Sequence, residues 1–179
     1  MTFNYFAYGS NMLTERLRAR CKSARPIGVG SVSGHDLKFW KHSRDGSGKC
    51  TIVRSGNNGD RVIGVLFEIA KVEQRNLDEA EGVGSGYDRI DDVHVTLMSG
   101  EEVLANTYIA TKLNESLQPY DWYRAYVIAG AMQHGLPKEW IARIEATKFG
   151  RDPNLKRRES ALQTLKTAGY EKLLEPLPA

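Results

Sequence analysis

Three acids, Asp78, Glu79 and Glu81, fall at the end of a segment that reads as a helix over residues 71–81. The C-terminal end of a helix is the negative end of its dipole and disfavours carboxylates. Asp78 and Glu79 read as solvated surface acids. Glu81 stands directly before Gly82, and its position suits chemistry. Like charge, the dipole and burial would all raise its pKa toward the range of a general acid/base. A solvated acid would fit the same place, and on the residue alone both readings stay open. The second candidate is the turn Tyr8-Gly9-Ser10-Asn11. Gly9 can take a positive φ and admit another group close to the backbone. Ser10 or Asn11 can cap a following helix. The free N–H groups at such a start can hold a carboxylate or a phosphate. An ordinary capped strand–turn–helix would contain the same residues.

The elements that must position these groups follow from periodicity. Residues 2–6 are aromatic and alternating and read as a strand. A helix is expected over 11–21, with Met12, Leu13 and Leu17 on one face. Arg16, Arg18, Arg20 and Lys22 would lie on its solvated side and C-terminal end, where cations suit the dipole. Strands are expected at 26–32, 35–41, 49–53 and 61–69, the last of them central. Turns rich in Gly, Ser, Asn and Asp join them at 44–48 and 55–60. Gly82 fits the left-handed stop of the 71–81 helix. A hairpin follows, with Ile90, Val93, Val95 and Leu97 on one strand and Val103, Ala105, Thr107 and Ile109 on the other. Helices are expected at 122–134, at 138–147 behind Pro137, and at 154–167, with residues 173–178 as a loose tail. Strands joined by tight turns point to an α+β fold: a small closed or partly closed, mainly antiparallel β-barrel with flanking helices.

Composition narrows the class. A chain of 179 residues, 41% hydrophobic, suits one domain with a full core. A formal net charge of +3, from 25 basic and 22 acidic residues, gives no reason to expect nucleic acid or an anionic membrane. Cys21 and Cys50 read as reduced structural thiols, and the four histidines show no metal-ligand spacing. Residues 1–4 lack a basic leader and no apolar run is long enough to span a bilayer, so a cytoplasmic protein is expected.

A later segment pairs with the turn. Leu77-Asp78-Glu79-Ala80-Glu81-Gly82-Val83, then Gly86-Tyr87-Asp88-Arg89, lies about seventy positions on. Together with Tyr8-Gly9-Ser10-Asn11 it resembles the gamma-glutamylcyclotransferase family. Pro119-Tyr120-Asp121-Trp122-Tyr123 is similar to the family's P-S-x-x-Y segment, with Tyr120 in place of the serine. Gly130-Ala131 and Gly135-Leu136-Pro137 continue the resemblance, which spans residues 3–145 in order. It implies a family domain over residues 1–149 and a C-terminal helical extension and tail over 150–179, packed on it or trailing it. It implies Glu81 as the catalytic acid/base. Tyr8, Gly9, Ser10 and Asn11 would cradle the γ-glutamyl group, with Tyr87 and Tyr123 lining the site, while Arg89 would pair with an acid. The implied reaction is intramolecular acyl transfer: the α-amine of a γ-glutamyl amine or amino acid attacks its own γ-carbonyl and gives 5-oxoproline. No cofactor and no metal is implied, and the partner is a small γ-glutamyl molecule. The leaving group, the oligomeric state and the role of 150–179 stay open. The same fold without the chemistry would be a small-molecule binding or interaction module.

Overall fold

A computed structural model describes residues 1–57 and 59–174. Five strands close into a barrel in the order β1-β5-β2-β6-β7. These are β1 (Thr2–Ala7), β2 (Arg25–Ser33), β5 (Arg61–Ala70), β6 (Tyr87–Leu97) and β7 (Glu102–Ala110). The strongly apolar β5 is central, as its sequence predicts, with β1 and β2 antiparallel on its two sides. The β6–β7 hairpin completes the wall. Closure comes from one parallel pairing, Tyr5 against Asn106, so the barrel is mixed although mainly antiparallel. Closure leaves no exposed edge among these strands. Phe6, Val65, Phe67, Ile69 and Val95 fill the fully buried core.

The two remaining strands depart from expectation. β3 (His35–His42) and β4 (Gly48–Arg54) form a separate two-stranded ribbon and do not join the closed sheet. Both edges of β5 are already paired, so β4 has no free ladder there. The ribbon folds against β7 instead, where the Ala110 N–H donates to Thr51 Oγ1 at 3.1 Å.

The first helix is also shorter than periodicity suggests. A 3-10 turn over Ser10–Met12 is followed by extended Leu13 and then by α1 (Thr14–Arg18). Packing decides this. Met12 and Leu13 are fully buried against Gly130 of α3 (Asp121–Gln133), where a Cβ would lie 2.5 Å from the Leu13 nitrogen. That approach outweighs the propensity for a continuous helix. α2 (Gln74–Glu81) follows a 3-10 turn at Lys71–Glu73, inside the segment expected as one helix. α4 (Lys138–Glu145) and α5 (Leu155–Thr167) complete the helices. Asn154 caps α5, accepting from the Arg157 N–H at 3.0 Å. Arg158 of α5 donates to Asp121 at 2.7 Å, and Trp122 Nε1 donates to Asp152 at 2.6 Å, so α5 is tied to α3 by buried polar groups. The expected loose tail is corrected at its start. Residues Glu171–Leu173 form a 3-10 turn and Leu174 is buried in the core, while residues 175–178 lie outside the described residues. Among the described residues no helix is long and apolar enough to cross a membrane, and both cysteines are free and buried.

Candidate active site

One pocket of about 290 Å³, counting its open mouth, gathers residues that are far apart in the sequence. β1 and the turn after it supply Tyr5, Tyr8, Gly9, Ser10 and Asn11. Glu81 comes from the end of α2, Tyr87 from the start of β6, Tyr108 from β7, Cys50 from β4 and Tyr123 from α3. All seven residues singled out in the sequence stand in this pocket.

Glu81 is the last residue of α2, which Gly82 stops in the left-handed region at φ 67°. Its Oε1 accepts two bonds, from Asn11 Nδ2 at 2.8 Å and from Arg20 Nη1 at 2.6 Å. Arg20 Nη1 also donates to Asn11 Oδ1 at 2.9 Å, and Asn11 Nδ2 reaches Tyr5 Oη at 3.0 Å. Oε2 accepts from no protein group among the described residues. The carboxylate is therefore fixed through one oxygen, and the other is left open to a ligand.

These contacts correct the expected surroundings of Glu81. It is not crowded by its neighbouring acids. Asp78 turns away and is half-buried, not solvated: it accepts from Tyr108 Oη at 2.7 Å and pairs with Arg89 at 2.7 Å. Glu79 is exposed, paired with Arg75 at 2.9 Å. Arg89 pairs with acids, as expected, and does not line the pocket.

The turn also works differently from its sequence reading. Gly9 has φ −120°, which is not left-handed. Space is what requires glycine there: a Cβ would lie 2.9 Å from Cys50 Cβ and 3.2 Å from Tyr123 Oη. Neither Ser10 nor Asn11 caps a helix. Ser10 Oγ accepts from Arg16 at 3.1 Å, and the Asn11 side chain is committed to Glu81, Arg20 and Tyr5. The backbone N–H groups of Gly9, Ser10 and Asn11 have no acceptor among the described residues. Unsatisfied N–H groups on a pocket wall are ready donors to a ligand oxygen.

The tyrosines brace the pocket. Tyr123 Oη accepts from the Cys50 N–H at 3.0 Å, and Tyr87 Oη donates to the Cys50 carbonyl at 2.8 Å. These two bonds pin β4 over the pocket. Tyr8 Oη donates to the Tyr108 carbonyl, tying the turn to β7. Burial drives the phenols of Tyr5, Tyr8, Tyr87, Tyr108 and Tyr123 upward, so all five stay neutral donors near pH 7. Burial likewise pushes the Cys50 thiol up to about 12, so it is no thiolate nucleophile. Among the described residues no group of three His, Cys, Asp or Glu side chains is placed to hold a metal.

Sequence reasoning missed Tyr5, Tyr108, Cys50 and Arg20. Tyr5 lies in the aromatic strand that leads into the Tyr8–Asn11 turn, and that nearness is its one signal in the sequence. Arg20 was hidden in a run of basic residues that reads as a solvated helix end. Tyr108 and Cys50 carry no local mark. The closure of β7 on β1 and the folding of the ribbon bring them in.

The chain is similar to known proteins in sequence and in fold. Residues 61–144 match the model of the AIG2-like family. A curated Homo sapiens protein named gamma-glutamylcyclotransferase is 36% identical over 150 residues, covering 81% of this chain and 78% of that protein. Its Bos taurus counterpart is 35% identical over the same shares. A solved structure described as a gamma-glutamyl cyclotransferase superposes with a TM-score of 0.78 at 33% identity, over 84% of this chain and 90% of that one.

Proposed function

The chain belongs to the gamma-glutamylcyclotransferase family, and from that membership we propose that it cyclises a γ-glutamyl amine or γ-glutamyl amino acid to 5-oxoproline, with Glu81 as general acid/base. The observation that carries this reading is the convergence of an anchored carboxylate with a free oxygen, Glu81 Oε2, and the unsatisfied N–H groups of the Gly9–Asn11 turn in one pocket.

The substrate enters with its α-nitrogen protonated. Glu81 Oε2 accepts one of those protons, and the freed amine attacks the γ-carbonyl carbon. A C–N bond forms and closes a five-membered ring, and the carbonyl oxygen becomes an oxyanion. N–H donors of the turn stabilise that oxyanion or anchor the substrate carboxylate. Glu81 takes the second proton from the ring nitrogen after handing the first to the leaving nitrogen. The old C–N bond breaks, releasing 5-oxoproline and the amine, and Glu81 passes the second proton to that amine, which departs as an ammonium and leaves the carboxylate as it began. One carboxylate thus ferries protons between two nitrogens of the same molecule. Most of the remaining work is to hold the glutamyl chain folded, a proximity effect. The neutral tyrosines wall and brace the site, with the hydroxyl protons of Tyr8, Tyr87 and Tyr108 already given to protein acceptors.

On this reading residues 1–149 carry the activity and 150–179 are an extension to it, whose described part is held through the Arg158–Asp121 pair. A cytoplasmic setting, in which both buried thiols stay reduced, goes with it. The test is 5-oxoproline release across a panel of γ-glutamyl amines and γ-glutamyl amino acids. Release from at least one member is expected. Release from none would overturn the reading.

A further inference from the structure

Lys41 is a cation with no carboxylate partner among the described residues, held beside the pocket. The β3–β4 ribbon carries three lysines. Lys38 pairs with Asp36 at 2.7 Å and Lys49 with Asp45 at 2.7 Å. Lys41 makes no such ion pair, although it is only partly exposed. Its Nζ lies 5.2 Å from the centroid of the Tyr87 ring, and it stands 3.4 Å from where a Cβ on Gly86 would be. Tyr87 is a wall of the pocket, and that same Gly86 position is 3.3 Å from the Glu81 carbonyl.

The fold fixes this placement. β3 changes register against β4 between Lys38 and Lys41, and such a bulge re-aims the side chains beyond it. On either side of Lys41 the backbone is tied to the segment after β7. The Asn114 N–H donates to the Trp40 carbonyl at 2.7 Å, and the His42 N–H donates to the Lys112 carbonyl at 3.0 Å. That segment is joined in turn to Gly86, whose carbonyl accepts from the Thr111 N–H at 3.2 Å. Lys41 is thus braced toward Gly86, Tyr87 and the end of α2. It is not needed to balance Glu81, whose Oε1 is already paired with Arg20. Burial lowers the Lys41 pKa, opposed first by the Glu81 charge, so the ammonium sits in a place that disfavours it when empty. A bound anion would relieve that cost.

We propose that Lys41 reads the carboxylate of the leaving amino acid, and so makes this pocket favour γ-glutamyl amino acids over γ-glutamyl amines. The inference rests on the cyclotransferase reading above. Glu81 must reach the leaving nitrogen to protonate it, so the groups borne by that nitrogen emerge next to α2 and Tyr87. In an amino acid the carboxylate is one carbon from that nitrogen, within reach of a flexible lysine. A leaving amine without a carboxylate gives Lys41 nothing to bind.

The test compares γ-glutamylalanine with γ-glutamylethylamide, which differ only by the leaving-group carboxylate. 5-Oxoproline release is measured for the native chain, Lys41→Met and Lys41→Arg. A charge-assisted contact of this kind is worth about ten- to a hundredfold. Lys41→Met should raise KM for γ-glutamylalanine by about that factor, leave γ-glutamylethylamide unchanged, and be rescued in part by Lys41→Arg. Equal losses on both compounds would overturn the proposal, since Lys41 would then be serving the glutamyl half or Glu81. No loss on either would overturn it too. Calorimetric binding of the same two compounds is measured in the Glu81→Gln background, with and without Lys41→Met. A preference for γ-glutamylalanine that Lys41→Met abolishes supports the Lys41 contact even if the native chain releases no 5-oxoproline, an outcome that sinks only the activity. Equal binding of the two compounds overturns the contact.

Discussion

Arg20 and Asn11 hold the Glu81 carboxylate in place. Both bind its Oε1, at 2.6 Å and 2.8 Å, and they are joined to each other at 2.9 Å. The three side chains form a closed set in which each fixes the other two. Asn11 adds orientation and Arg20 adds charge. Arg20 lines no part of the pocket, so on the cyclotransferase reading it would act through Glu81 as a positioning residue. Replacing it with methionine keeps much of the length of the side chain and removes the bonds. A charge-assisted hydrogen bond is worth about 1.5–3 kcal/mol, so Arg20→Met should lower kcat by about ten- to a hundredfold. KM should change little, because Arg20 does not touch substrate. Steady-state kinetics separate the two, and a rise in KM at constant kcat would show that Arg20 binds the ligand instead.

At the scale of elements, the turn after β1 and the β3–β4 ribbon meet at one tight place. Gly9 lies against Cys50 and Tyr123, and the Cys50 backbone is held by Tyr123 and Tyr87. Gly9→Ala would drive a methyl group into β4, and overpacking of this kind costs about 1–3 kcal/mol. Thermal melting should show that loss, together with a weaker KM as the ribbon shifts off the pocket. An unchanged melting temperature would mean that the ribbon yields freely there. This contact also shows what the sequence can and cannot reveal. The strand before the turn, the stop at Gly82 and the β6–β7 hairpin are local patterns, and each is legible from its own residues. Glu81 and the turn could be paired only through a resemblance, because seventy positions separate Asn11 from Glu81. The ribbon's departure from the barrel was not legible, since it depends on both edges of β5 being taken. The late start of the first helix, at Thr14, depends on Gly130, far along the chain. Arg20 was misread for the same reason: its partner is remote, and its neighbours are ordinary surface charges.

For the whole molecule, the buried charges and thiols set a window of pH. Burial alone would raise the Asp45 carboxyl, but the Lys49 ammonium and the hydrogen bonds of Ser47 outweigh it and hold the pKa at about 2, from an ordinary 3.8. Asp36 and Asp152 are lowered in the same way by their lysine and arginine partners, against the effect of burial. A depressed folded-state pKa gives stability that is present above the unfolded value and lost as pH falls through the folded one. The native chain should therefore lose stability from about pH 4 downward, by roughly 1–2 kcal/mol through Asp45 alone once solvent screening is allowed for. Urea unfolding between pH 7 and 2 measures this, and Asp45→Asn should flatten the slope; a slope parallel to native would remove Asp45 from the acid limb. At the other end, burial pushes Cys21 up to about 11 and Cys50 up to about 12, from an ordinary 9.0. Raised values give stability that is lost as pH climbs past the unfolded thiol, so unfolding should become easier above about pH 9. Within that window the catalytic claim rests on one carboxylate. The decisive measurement is 5-oxoproline release by the native chain and by Glu81→Gln, each checked for a cooperative melt. The amide of that variant keeps the size of the side chain and an acceptor oxygen for Arg20 but cannot ferry a proton. Loss of at least about a hundredfold in kcat, from a variant that still folds, is the expected result. Turnover within about twofold of native would contradict the role assigned to Glu81.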